Sequence, residues 1–305
     1  LVVNDAKTGR ARPCIALLGN PSDLFGGTVL AATIDTFETV VDIIPTTFYA
    51  PPAFLSDAAE LQRLVFERVA AGRAGCAMTL RSDVPSEAGL GGSSAILIAT
   101  VRAIDSYYGL GLAPLDIAAV AWAVERDDLG IVAGPHDRVI QTLGGLQLMD
   151  FSGPDRIGRH RCVDATLLPP LLIAWPNEPD QASDDGHRLV WERIQAGDTM
   201  LGRQLLEFAS IAEHGTAALE GGDHATFADA VDTNFDLRCS LFDVDADDRR
   251  LVDVARAAGG AAKLSGSGGS IVAVPRPGGR LEEISEALVA AGASVSRSVR
   301  IALAP

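Results

Sequence analysis

At 305 residues the chain exceeds what one hydrophobic core comfortably serves, so two domains are expected. A hydrophobic content of 48% excludes a disordered chain, and a net charge of −15 without any basic block excludes nucleic acid and anionic membrane as partners. Four scattered cysteines (Cys14, Cys76, Cys162 and Cys239) and histidines without ligand spacing argue against a disulfide framework or a structural zinc site.

In chain order, residues 13–19 and 28–44 read as strands, being rich in β-branched residues and bounded by turns. Residues 57–71 carry Leu61, Leu64, Val65 and Val69 at helical spacing, and Cys76–Leu80 reads as a further strand. Helices are expected at 94–108 and 114–128, the second with Pro114 in its first turn, and a strand at 144–151. Punctuation by Gly and Pro between 152 and 169 marks a domain boundary, giving 1–160 and 161–305. Beyond it lie a buried-type strand at Leu171–Trp175, a polar loop at 176–187 suited to act as a lid, and helical patterns at 198–219, 224–241 and 246–258. Strand-like 263–274, helical 280–291 and strand-like 294–303 follow. Strands and helices mix without strict alternation, which predicts an α+β fold. No apolar run approaches the roughly 20 residues that span a bilayer, and a cytoplasmic location is the expectation.

The most informative stretch is 85–95, Pro-Ser-Glu-Ala-Gly-Leu-Gly-Gly-Ser-Ser-Ala. A glycine loop feeding a helix presents unpaired N–H groups and the positive end of the helix dipole to an anion, which makes a phosphate site. The chain's two lysines, Lys7 and Lys263, do not follow glycines, so this is not a Walker A loop. A second glycine cluster runs through Lys263, Gly266, Ser267, Gly268 and Gly269; taken alone it reads equally as a hairpin turn. A third group spans Glu125 to Arg138. Glu125 offers the oxygen ligand that Mg²⁺ prefers, and Asp137 can accept a hydrogen bond from an attacking hydroxyl, although alone they read as a solvated helix end and an N-cap.

The order Pro-x-x-x-Gly-Leu-Gly-x-Ser-Ser-Ala resembles the ATP-phosphate loop of the GHMP kinases. The resemblance implies a two-domain α+β fold, with an N-terminal domain like ribosomal protein S5 domain 2 and a ferredoxin-like C-terminal domain. It implies ATP phosphates over Pro85, Gly89, Leu90, Gly91, Gly92, Ser93 and Ser94, approached by Gly266, Ser267, Gly268 and Gly269. Mg²⁺ would lie on Ser94 and Glu125, with Ser93 as the alternative to Ser94, and Asp137 would be the catalytic residue. The first motif of the family is varied here: Cys14 stands where a basic residue is usual, and Arg12 or Lys263 are candidates to replace its charge.

Gly-Asn-Pro-Ser-Asp at 19–23, together with 129–138, 144–152 and Asn-Phe-Asp-Leu-Arg at 234–238, is similar to the glucuronokinase branch. This implies phosphorylation of the anomeric hydroxyl of a sugar acid. A sugar carboxylate is best matched by arginine, so Arg138, Arg238 and Arg188 are candidates, with Asn20, Asp23, Asn234, Asp236 and Lys263 as further substrate residues. Two alternatives stay open: a kinase for another alcohol (a neutral sugar, a heptose phosphate or mevalonate), and a silent sugar and nucleotide sensor. The expected partners are ATP and the small substrate alone, with the protein a monomer or homodimer.

Overall fold

A computed structural model describes residues 7–47, 50–176, 185–294 and 297–303. The first half opens with β1 (Lys7–Ala11), β2 (Cys14–Leu18), β3 (Thr28–Thr33), β4 (Thr39–Pro45) and β5 (Ala53–Phe54). These are followed by α1 (Ala59–Ala70), β6 (Cys76–Ser82), α2 (Gly92–Tyr108) and α3 (Pro114–Ala123). One sheet has the order β1-β4-β6-β5, with Val41, Ile43 and Met78 packed against Val65 of α1 and Ile98 and Ile104 of α2. Strand β1 lies so close to α2 that a Cβ on Gly9 would meet the Ala99 carbonyl oxygen at 2.0 Å, so only glycine fits there.

A π turn at Val124–Asp128, α4 (His136–Leu143), β7 (Leu146–Asp150) and β8 (Arg159–Val163) follow. The second sheet, β2-β3-β7-β8, is antiparallel throughout. Strand β2 is buried on both faces, as the period of two requires. Cys14 and Ala16 face Val139 and Ile140 of α4, whereas Ile15 and Leu17 face the second half of the chain.

That half comprises β9 (Leu171–Ala174), α5 (Asp185–Gln195), α6 (Thr199–Glu220), α7 (His224–Leu241) and α8 (Ala246–Ala257), then β10 (Gly260–Leu264), β11 (Ile271–Pro275), α9 (Leu281–Ala290) and β12 (Arg297–Val299). Its sheet, β10-β11-β9-β12, packs Leu172, Ala262 and Ile271 against α8 and α9. The opposite face (Ile173, Ala261, Val272) joins Ile15, Leu17 and Leu30 in one continuous core. Residues 301–303 then return to the second sheet. Ile301 bridges Ile34, Leu303 bridges Gly144, and the Ala302 N–H and carbonyl bond the Thr33 carbonyl (2.9 Å) and hydroxyl (2.5 Å).

The α+β architecture agrees with the sequence reading, with local differences. Residues 28–44 are two strands in different sheets, and 263–274 is the β10–β11 hairpin with the glycine cluster at its turn. The helix expected over 114–128 widens into a π turn after Ala123, and β1, β5, α4 and β8 were not expected. Of the polar segment 176–187, residues 177–184 lie outside the described residues, while Asp185 already opens α5. Among the described residues no helix is long and apolar enough to cross a membrane.

Candidate active site

The stretch after β6 turns on left-handed residues. Glu87 and Gly89 both have φ of +60°, and Gly91, at +70°, is the residue from which α2 starts. A Cβ on Gly89 would lie 2.1 Å from the Gly268 carbonyl oxygen, one on Gly266 2.3 Å from that of Gly89, and one on Gly269 2.1 Å from that of Glu87. The two glycine clusters therefore lie backbone against backbone, and side chains anywhere in the seam would part them. The Ser270 hydroxyl donates to the Ala88 carbonyl across it, and buried Asp248 accepts from the Gly269 N–H at 2.9 Å. Burial pushes the Asp248 carboxyl up to about 6, despite that bond and the charge of Arg238.

Residues 84–94 form one wall of a cleft of about 1090 Å³, with the N-terminus of the 17-residue helix α2 directed into it. Pro85, Gly89, Leu90, Gly91, Gly92, Ser93 and Ser94 all line this cleft, as do Gly266 and Ser267 from the other cluster. Asn20, Asp23, Glu125, Asp137, Arg138 and Arg238 line it too. Gly268 and Gly269 do not; they back the loop from behind.

The π turn makes Glu125 part of the cleft floor. Leu129 N–H closes an i to i+5 bond to the Val124 carbonyl at 3.1 Å, and Val124 and Glu125 are both buried. Glu125 is ion-paired with buried Arg138 and accepts from the Ser93 hydroxyl at 3.2 Å. Burial raises its carboxyl, an effect that the Arg138 guanidinium opposes only in part. Ser94 is turned the other way: its hydroxyl donates to the Gly91 carbonyl at 3.0 Å, beside the Gln141 amide, which reaches the same oxygen at 2.8 Å. Of the two serines, the one facing Glu125 is thus Ser93, because successive helical residues point about 100° apart.

Asp137, in the first turn of α4, sits among three groups. Its Oδ1 accepts from the Cys14 thiol at 3.2 Å and lies 3.0 Å from His136 Nε2, while Arg138 approaches Oδ2 at 3.7 Å. Burial alone would raise this carboxyl, but the adjacent imidazolium and guanidinium outweigh it and hold it well below the usual carboxylate range. Asp23 was expected to hold substrate. Its Oδ2 instead accepts from both the N–H and Nδ1 of His136, at 3.2 and 2.6 Å.

Several expected substrate residues have other work. Asn234 is fully buried; its carbonyl accepts from the Gly19 N–H at 2.6 Å and its amide donates to the Asn20 carbonyl at 3.4 Å, so it shapes the turn that opens the 19–23 motif. Asp236 lies on the solvent side of α7, 2.8 Å from Arg256. Lys263 is buried and ties two sheets together, donating to the Ala16 and Leu264 carbonyls, both at 2.6 Å. Burial, helped by the charge of Arg238, depresses its ammonium well below the ordinary lysine value. Arg12 contacts Glu38 at 3.9 Å and the Asp35 carbonyl, and Arg188 is exposed beside Glu192, so neither reaches the cleft. The positive charge beside Asp137 comes from His136 and Arg138, and it was the histidine that sequence reasoning missed. Nothing local to 136 signals a partner at position 23.

Two family models match this chain, the GHMP kinases N-terminal domain over residues 56–145 and the GHMP kinases C-terminal domain over 216–294. The chain is 31% identical over 299 residues to glucuronokinase 1 of Arabidopsis thaliana, covering 85% of this chain and 82% of the relative. A probable glucuronokinase 2 of the same plant is also 31% identical, with 85% and 81% covered. Among solved structures, Lactococcus lactis galactokinase complexed with galactose superimposes with a TM-score of 0.84 at 15% identity, covering 99% of this chain and 95% of that one. Family models that match both halves of the chain, and relatives 31% identical over most of both lengths, show the family: the chain belongs to the GHMP kinases, and it is a kinase.

Proposed function

We propose that this kinase transfers the γ-phosphoryl group of ATP to the anomeric 1-hydroxyl of a sugar acid, D-glucuronate, giving glucuronate 1-phosphate. The observation that carries the substrate class is Arg238. Its buried guanidinium lines the cleft, stacks 4.9 Å from the Phe242 ring centroid and donates to the carbonyl of Ser267 at 2.8 Å. Burial lowers it to about 10, and an anion in the cleft would offset part of that cost. A guanidinium in the cleft wall offers the planar fork of N–H donors that a substrate carboxylate would match. The 31% identity with the two plant glucuronokinases over most of both chains supports the same choice.

In this reading residues 1–160 form the nucleotide domain and 161–305 the second domain. ATP phosphates rest on the N–H groups of 89–94. Ser93 and Glu125 supply hard oxygen ligands 3.2 Å from one another and would hold Mg²⁺. Among the described residues no three His, Cys, Asp or Glu side chains gather as a metal cage, which suits a cation that keeps waters and phosphate oxygens as its other ligands. When bound, Mg²⁺ would neutralise charge on the transferring phosphoryl. Asp137 accepts the hydrogen bond of the sugar 1-hydroxyl and aims its oxygen at the γ-phosphorus. Its depressed pKa makes it a weak base, so it orients first and takes the proton late, as the new O–P bond forms and the bond to ADP breaks. That order fits a loose transition state.

The test is ATP turnover with Mg²⁺ across glucuronate, galacturonate, glucose, galactose, arabinose, a heptose phosphate and mevalonate, with phosphorus NMR of the product. A glycosyl phosphate from glucuronate is expected. Arg238→Ala should raise KM for glucuronate about 10-fold or more while leaving KM for ATP within a few-fold. Turnover of another alcohol with none on glucuronate would reject the substrate. Bound ATP with no turnover on any compound would favour the sensor.

A further inference from the structure

Asp23, His136 and Asp137 form a line of alternating charge on the cleft floor that positions 113 residues apart in the chain bring together. His136 Nδ1 lies 2.6 Å from Asp23 Oδ2 and Nε2 lies 3.0 Å from Asp137 Oδ1, with the His136 side chain 11% exposed and that of Asp23 2%. A neutral imidazole carries one N–H and one lone pair. Between two carboxylates its lone pair would face an anionic oxygen, whereas an imidazolium presents an N–H to each.

Asp23 is itself fixed. It also accepts the His136 N–H, and Gly134 leaves it room, since a Cβ there would lie 2.0 Å from Oδ2. The other ionisable groups near the line are Cys14 on β2, whose thiol donates to the same Oδ1, Arg138 on α4, Glu125 beyond it on the π turn, and Arg238 in the cleft wall.

We propose that His136, kept as an imidazolium by Asp23, is a positioning residue that holds Asp137 ionised and aimed at the substrate hydroxyl. The inference rests on the role given to Asp137 above. Burial would strip the proton from His136, but Asp137 and Asp23 together carry it up to about 10.

His136→Gln keeps the size and one N–H donor but removes the charge. It should lower kcat about 10²-fold with KM for ATP nearly unchanged, the scale of a lost acid–base contribution. It should also move the acid limb of the kcat profile upward in pH, because Asp137 loses the cation that keeps it ionised. His136→Lys should restore part of kcat. Independently of any sugar, nitrogen NMR of the wild-type protein should show His136 doubly protonated at neutral pH. Asp23→Asn should bring that titration down toward the ordinary value of about 6.5.

If Asp137→Asn keeps wild-type kcat on D-glucuronate, the role of Asp137 fails. If Asp137→Asn is inactive while His136→Gln keeps kcat and its pH profile, the role of His136 alone fails. Should His136→Gln not fold, the NMR titration decides: a neutral His136 at pH 7, or one indifferent to Asp23→Asn, overturns the proposal.

Discussion

The seam between the two glycine clusters allows the cost of a single methyl group to be worked out from its parts. Gly89→Ala meets two penalties: a left-handed backbone at φ +60°, and a Cβ 2.1 Å from the Gly268 carbonyl oxygen, far inside contact distance. The first costs about 1 kcal/mol. The second forces two backbones apart and costs about 1–3 kcal/mol, the range of overpacked cores. The two parts can be measured separately, because Gly72 has φ +79° with nothing within 4 Å, whereas Gly266 has no positive φ but a Cβ contact at 2.3 Å. Unfolding entropy scaled to 305 residues converts each kcal/mol into about 1.5 °C of melting temperature. Gly72→Ala should therefore lose about 1–2 °C, Gly266→Ala about 2–5 °C and Gly89→Ala about 3–6 °C. The assay is thermal unfolding paired with ATP kinetics. Parting the seam displaces the N–H groups of 89–94 on which we propose that the ATP phosphates rest, so Gly89→Ala and Gly266→Ala should raise KM for ATP while Gly72→Ala does not. Equal melting temperatures for all three variants, or an unchanged KM for ATP in Gly89→Ala, would refute the reasoning.

Other outcomes are expected. Asp137→Asn should still fold, with a lower melting temperature at neutral pH because its charge no longer offsets His136 and Arg138, and lose at least about 10² in kcat, read in a coupled ADP assay. Ser93→Ala should raise the Mg²⁺ concentration needed for half-maximal rate, while Ser94→Ala should instead lower thermal stability, because its hydroxyl serves the Gly91 carbonyl. Asp248 is raised in the folded state above its unfolded value, so folding favours its protonated form. Stability from this group is fully present below about pH 4 and is lost as pH rises through about 6. Asp248→Asn, which keeps an acceptor for the Gly269 N–H, should gain up to about 2 kcal/mol over wild type at pH 8 and little at pH 4, measured by denaturant unfolding.

The glycine loop and the helix it opens were readable in the sequence because they are local: glycines, a helix start and two serines fall within eleven consecutive residues. The choice between Ser93 and Ser94 was not, since it depends on where Glu125 lies, and that is set by one widened turn without a periodic signature. Helix α4 spans only His136–Leu143 after Gly134 and Pro135, too short for apolar spacing to reveal it. Asn234 and Lys263 looked like substrate residues because they are polar and sit in motif blocks. Their partners, Gly19 and Ala16, lie 215 and 247 positions away, and only the assembled sheets show that both are spent on backbone groups.

The return of residues 301–303 to Thr33 and Gly144 bears on how this protein is made. The second sheet gains its last hydrogen bonds from residues translated long after β8, so in the nascent first half the Thr33 carbonyl still waits for the Ala302 N–H. The Ala302 carbonyl accepts the Gly145 N–H at 2.8 Å, immediately beyond α4, the helix that carries His136, Asp137 and Arg138. Completion of the cleft floor is thereby coupled to the synthesis of residues 301–303, and a change at Ala302 acts on that helix through two bridges and the Gly145 N–H.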